Sequence, residues 1–148
     1  MDANTSPLFT PYKLGRFDLS HRCPNMSGIW SEEQMEAWKP VVKGVHDKGV
    51  SSFVKFGIPA ACPGNGQVLE KTTPQHLKAD EIPCIVNDFR IAACNAINAG
   101  FDGIEINAAS GYLIDQFSIG ASTEERCRLA QEIVETVIEE VGADKVGL

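Results

Sequence analysis

The sequence predicts an α/β fold built on a parallel sheet with crossover helices. Helical patterns alternate with strand-length apolar runs in the order helix, strand, loop, helix, strand, helix, strand. The strand runs "VSSFVKF" (Val50 to Phe56) and "GIEIN" (Gly103 to Asn107) are rich in β-branched and aromatic residues. A plan of helix, Gly, acidic residue and strand occurs twice, in "AINAGFDGIEIN" and "VIEEVGADKVGL". This pattern suits a β/α barrel or an open doubly wound sheet. No G-x-G-x-x-G follows a strand, which argues against a dinucleotide-binding fold of that type.

Each element has a local reason. Met1 to Ile29 carry Pro, Gly, Ser and Asn with little periodicity and read as an irregular arm, with a short hairpin around Tyr12 to Phe17. Ser31 and Gln34 have the spacing of a capping box. The helix after them aligns Met35, Trp38, Val42 and Val45, and Gly49 closes it. Pro40 lies inside, so a kink or a shifted start is expected. After Phe56 a long loop rich in Pro and Gly runs from Gly57 to Glu81, a length usually tied to function or motion. A second helix starts near Ile82 with Pro83 in its first turn, and Ile85, Phe89, Ala92, Ala96 and Ile97 recur at helical spacing. Gly100 takes the left-handed position after it. Ser122 and Glu125 form another capping box, opening a third helix with Leu129, Ile133, Val137 and Val141 on one face. Gly142 ends it, and "DKVGL" begins a further strand.

Composition narrows the function. The 148 residues suffice for one domain, read as 1–148 with an arm over 1–29 and β/α units over 30–148. The net charge is −7 and the basic residues are scattered, so neither nucleic acid nor an anionic membrane is an expected partner. No apolar run nears the ~18 residues that span a bilayer, and no signal-peptide core is present. A soluble cytoplasmic protein is expected. Five cysteines in no C-x-x-C spacing, and three distant histidines, give no metal or disulfide framework, so free, mostly buried thiols are expected.

Candidate chemistry gathers where strands end. Tyr112 follows the strand "GIEIN" across a short turn, as a proton donor or as an ordinary loop tyrosine covering the strand end. Asn107 and Ser110 suit a turn, and their spacing also allows a pair of polar donors. Lys55 sits near the end of the earlier strand, as a solvated side chain or a cation facing a ligand. Asp115 and Gln116 have no role beyond the loop. Glu132, Glu135 and Glu139 form a solvated helix face, and Trp30 and Trp38 are expected to pack.

Several long stretches carry a resemblance. They are "SPLFTPYKLGRFDLSHR", "GIWSEEQMEAWKPVVKGVHDKG", "DEIPCIVNDFRIAACNAINAGFDGIEI", "GYLIDQF" and "RCRLAQEIVETVIEEVGADKVG". Together they resemble the plant 12-oxophytodienoate reductase group of the Old Yellow Enzyme flavoproteins. The resemblance implies a (β/α)8 TIM barrel, FMN held without a covalent bond, and NADPH as reductant. It implies reduction of the C=C bond of an α,β-unsaturated carbonyl, an enone or oxylipin. In that family the loop after the strand reads His-x-x-His or His-x-x-Asn, then Gly-Tyr. The resemblance therefore places the carbonyl-binding pair at Asn107 and Ser110 and the proton donor at Tyr112. It places Lys55 where the family has a flavin-binding glutamine.

A closed barrel of this kind needs roughly 250 residues. The expected fold is thus a partial (β/α)8 barrel, roughly its first half, with internal deletions such as the join in "HRCPNMSGIW". Such a fragment exposes sheet edges, through which self-association is possible. The alternative function is a catalytically inactive truncated relative acting as an interaction module or having no function. A third reading is a small α/β binding protein that uses the Gly57 to Glu81 loop as its contact surface.

Overall fold

The structure, a computed structural model, describes residues 12–14, 17–19, 28–58, 80–117 and 123–148. In the arm, β1 (Tyr12–Leu14) and β2 (Phe17–Leu19) pair antiparallel, the expected hairpin. Then follow α1 (Glu32–His46), β3 (Phe53–Phe56), α2 (Ile82–Ala99), β4 (Gly103–Ile106), α3 (Leu113–Phe117), α4 (Thr123–Val141) and β5 (Val146–Gly147). β3, β4 and β5 make a parallel sheet in that order, with Phe53 opposite Gly103 and Ile104 opposite Val146.

The Ser31 cap forms as expected. Ser31 Oγ accepts from Gln34 N at 3.3 Å, and Gln34 Oε1 accepts from Trp30 N at 3.0 Å and Ser31 N at 3.4 Å. A cap of this kind typically stabilises by about 1 kcal/mol. The helix starts at Glu32 and runs unbroken through Pro40, so the expected shift of start does not occur. Packing on both sides of the proline holds that turn. Val42 is buried, and the Trp38 ring meets Phe101 edge-on with centroids 5.6 Å apart.

α2 ends at Gly100, whose φ of 101° only glycine adopts readily. Its buried stripe is Ile85, Phe89, Ala93, Ala96 and Ala99. Ala92 and Ile97 flank this stripe instead of centring it, because the small Ala93 and Ala96 let the helix approach its neighbours closely. On α4, Leu129, Ile133 and Val137 are buried as expected. Ser122 of the second capping box lies outside the described residues, as do His21, Cys23, Cys62, His76 and most of the Gly57 to Glu81 loop.

Two expectations are corrected, on the segment after Tyr112 and on the thiols. The segment Leu113–Phe117, read as loop, forms the short helix α3 with Ile114 buried. Cys84 and Cys127 are free but exposed, and Cys94 is half-buried, because each lies off the apolar stripe of its helix. Ile29, the last residue of the irregular arm, has no regular backbone structure and is buried in the core, where its carbonyl accepts from Asn95 Nδ2 at 3.0 Å.

The long helices share one core on one side of the sheet. Val54, Phe56, Ile104, Ile106 and Val146 face Val42, Phe89, Ala93 and Ile133. Among the described residues no helix covers the other side. That face carries Phe53, which is 69% exposed, together with Lys55 and Glu105. Helices on one face only match a barrel wall. A doubly wound sheet, left open by the sequence, has helices on both.

A polar latch fastens the amino ends of the sheet. Asp102 N donates to Ser52 O at 2.8 Å, and Ser52 N donates back to Asp102 Oδ2 at 2.6 Å. The His46 ring lies 2.9 Å from the same carboxylate oxygen. The Ser52 N–H, then the His46 hydrogen bond, hold the Asp102 carboxyl below its ordinary value of 3.8. A carboxyl with a depressed folded value stabilises the fold above its ordinary value and loses that contribution as pH falls through the folded one. Urea midpoints measured from about pH 6 down to about pH 3 should therefore fall in wild type and fall less steeply in Asp102→Asn. Identical acid slopes would contradict the latch.

Candidate functional site

Beyond β3 and β4 the pairing continues. Asn107 N donates to Phe56 O at 2.9 Å, so Gly57 and Asn107 stand side by side at the carboxyl ends of the strands. A Cβ on Gly57 would lie 3.1 Å from both Asn107 Cβ and Tyr112 Cδ1. Leu113 N donates to Ile58 O at 2.9 Å and ties the far end of the loop to the same segment. The end of β3 thus clamps both ends of the 107–113 loop. Glycine at 57 is what lets the tyrosine ring come so close.

Within the loop a tight turn sets the geometry. Tyr112 N donates to Ala109 O at 3.3 Å, and the central residues Ser110 and Gly111 have φ of 63° and 76°. Two positive φ values are the type I′ pattern, which suits Gly and strains Ser. Asp115 Oδ2 accepts from Gly111 N at 2.8 Å and steadies the turn from α3. Asn107 Oδ1 accepts from Ala109 N at 3.3 Å, an Asx turn. This orientation commits the amide oxygen to the backbone and leaves Nδ2 as a two-proton donor, with no acceptor among the described residues. Asn107 is buried and Tyr112 half-buried. The set is chemically suited to grip a carbonyl oxygen with N–H groups and to offer a phenol beside it.

Of the residues expected from sequence, the structure brings Asn107 and Tyr112 together. Ser110 stands at the exposed tip of the turn. Lys55 lies on the same sheet face as Gly57 and Asn107, one alternation nearer the amino end. Its Nζ is 2.6 Å from Glu105 Oε1 on the neighbouring strand, and both side chains are half exposed. Sequence reasoning missed Gly57 and Asp115. A lone glycine directly after a strand is a sign of close backbone approach, and an acid four residues after Gly111 is within reach of its N–H.

The described residues fit a flavin only in part. The open sheet face offers one cation, Lys55, already held by Glu105, and the amide donors of Asn107. No second cation occupies the strand positions of that face among the described residues, so the face itself offers no further charge to the phosphate of FMN. No group of three metal-ligating side chains occurs among the described residues, and none of their helices is long and apolar enough to cross a membrane.

Two substitutions separate the turn from the clamp. Ser110→Gly should leave stability unchanged or raise it by up to about 1 kcal/mol, because it relieves the left-handed backbone. Gly57→Ala should destabilise by about 1–3 kcal/mol through overpacking against Asn107 and Tyr112. Equilibrium denaturation of the two variants checks both.

Comparison with known proteins places the chain in a family. Residues 20–148 match the NADH:flavin oxidoreductase / NADH oxidase family. A 12-oxophytodienoate reductase-like protein of Solanum lycopersicum is 43% identical over 227 aligned positions, which cover 100% of this chain and 64% of the relative. The 12-oxophytodienoate reductase 2 of Arabidopsis thaliana is 35% identical over 224 positions, covering 96% of this chain and 60% of its own. The chain thus spans less than two thirds of the length of these plant relatives. Among solved structures, the old yellow enzyme homologue of Zymomonas mobilis is 32% identical with a TM-score of 0.60, covering 82% of this chain and 43% of that one. Morphinone reductase is 28% identical with a TM-score of 0.67, over the same shares. The chain is a member of the NADH:flavin oxidoreductase / NADH oxidase family, of the plant 12-oxophytodienoate reductase type and shorter than its relatives.

Proposed function

We propose that this chain is an FMN-dependent ene-reductase, one that reduces the C=C bond of α,β-unsaturated carbonyl compounds, oxylipins among them, with NADPH as the source of electrons. The observation that carries the reading is the Asn107 amide beside the Tyr112 ring at the carboxyl ends of parallel strands. Barrels of this class build their active face from the loops at that end. Family membership and the names of the relatives support flavin chemistry on a carbonyl-conjugated alkene.

Hydride for the β-carbon comes from reduced FMN when it is bound. As that bond forms, the alkene electron pair shifts and negative charge grows on the carbonyl oxygen. The Asn107 N–H groups meet that charge. Tyr112 gives its phenolic proton to the α-carbon and recovers one from solvent. The structural frame we infer is the first half of a barrel with internal deletions, a reading supported by an alignment of 227 positions to a chain of 148 residues. The grip on the phosphate would come from residues outside the described ones. Among the described residues β3 and β5 are the edges of the three-stranded sheet, which supports self-association.

Titration of the purified chain with FMN, followed by flavin fluorescence, should give saturable one-to-one binding. The loaded protein should then oxidise NADPH with an enone. Tyr112→Phe should keep flavin binding and lose enone reduction by about 10²–10⁴-fold. Absence of saturable FMN binding would contradict the proposal.

A further inference from the structure

The open face of the sheet holds a charged pair for which the carbonyl grip and the phenol have no use. Lys55 and Glu105 stand opposite each other in the β3–β4 register, with Nζ 2.6 Å from Oε1. Strand alternation puts them on the face of Gly57 and Asn107, which the 3.1 Å approach at Gly57 identifies. The two rows are about 6–7 Å apart along the strand. An extended four-carbon lysine stem spans that gap. The expected second carbonyl donor, Ser110, stands at the exposed tip of its turn, on a left-handed backbone. Among the described residues, Lys55 is the next side-chain donor to Asn107 along its face of the sheet, so it is the candidate for the second contact a developing oxyanion needs.

We infer that Lys55, released from Glu105, is the second donor to the carbonyl oxygen seated on Asn107, and that Glu105 is the positioning residue that holds it until charge develops. This rests on the reading of the site as enone-reducing. A neutral carbonyl competes poorly with a carboxylate for an ammonium group. An enolate oxygen competes well. The contact therefore strengthens as the reaction proceeds, which is the condition for lowering a barrier and not merely tightening binding. A half-exposed ion pair is weak enough to exchange partners. Lys55 keeps its proton throughout: it hydrogen-bonds to the oxyanion, and Tyr112 supplies the proton that ends on carbon.

A stable oxyanion conjugated to a π system mimics the enolate, so 4-nitrophenolate serves as the probe, its binding to the purified chain followed by visible absorbance. Lys55→Gln should weaken binding by about tenfold or more. Lys55→Arg, which keeps the charge, should stay within about threefold of wild type. Glu105→Gln should bind the probe more tightly than wild type, because the lysine is freed. In turnover, Lys55→Gln should lower kcat with little change in KM for the enone. The inference is overturned if Lys55→Gln binds the phenolate as wild type does. It is overturned equally if Glu105→Gln loses binding in parallel with Lys55→Gln, the signature of a merely structural pair. A change in FMN affinity without a change in phenolate binding would assign Lys55 to the flavin ring instead. If wild type and Lys55→Gln reduce an enone alike, the role of Lys55 falls alone. If wild type reduces none, the ene-reductase reading falls and takes this role with it.

Discussion

Backbone hydrogen bonds between β3 and β4 run past both strand ends, and everything functional hangs on that ladder. At the amino end Asp102 N meets Ser52 O, and at the carboxyl end Asn107 N meets Phe56 O. Parallel pairing requires a long crossover, which α2 supplies by packing Phe89, Ala93 and Ala96 against the sheet and α4. With the register fixed, Lys55 falls opposite Glu105, and Gly57 falls opposite Asn107. A slip of one residue would send each of these side chains to the apolar side. One pairing therefore sets both the core and the site.

The sheet divides labour between its faces. Val54, Phe56, Ile104 and Ile106 bury hydrocarbon against the helices, and burial of this kind is the main favourable term in folding. Among the described residues no helix covers the opposite face. That face carries one ion pair, an exposed phenylalanine, and, at its carboxyl end, the amide and phenol. That asymmetry suits a barrel wall whose inner side serves chemistry. At the amino ends of the strands the latch of Ser52, Asp102 and His46 adds polar bonds beside the buried Phe101.

Much of this was legible in the sequence because it is local. Ser31 and Gln34 announced a capping box, Gly100 and Gly142 announced helix ends, and the i, i+4 spacing of Leu129, Ile133 and Val137 announced the buried face of α4. Asn107 and Tyr112 were legible because the strand end and the turn are adjacent in sequence. What escaped depends on distant partners. That Gly57 would touch Tyr112 follows only from the register of β3 on β4. That Ser110 would stand at the exposed tip follows from two consecutive positive φ values, which a Ser-Gly pair permits but does not demand. The partner of Lys55 likewise came from fifty residues away. Pro40 did not shift the start of α1, which the Ser31 cap fixes at Glu32.

The most direct test of the account is a nuclear Overhauser experiment on the labelled chain between the Tyr112 ring protons and the Gly57 Hα protons. Cross-peaks linking the two, together with slow exchange of the Asn107 and Leu113 amides, are the expected result. Absence of those cross-peaks with fast exchange at both amides would mean that the end of β3 does not clamp the loop, and the assembly of Asn107 with Tyr112 would be contradicted.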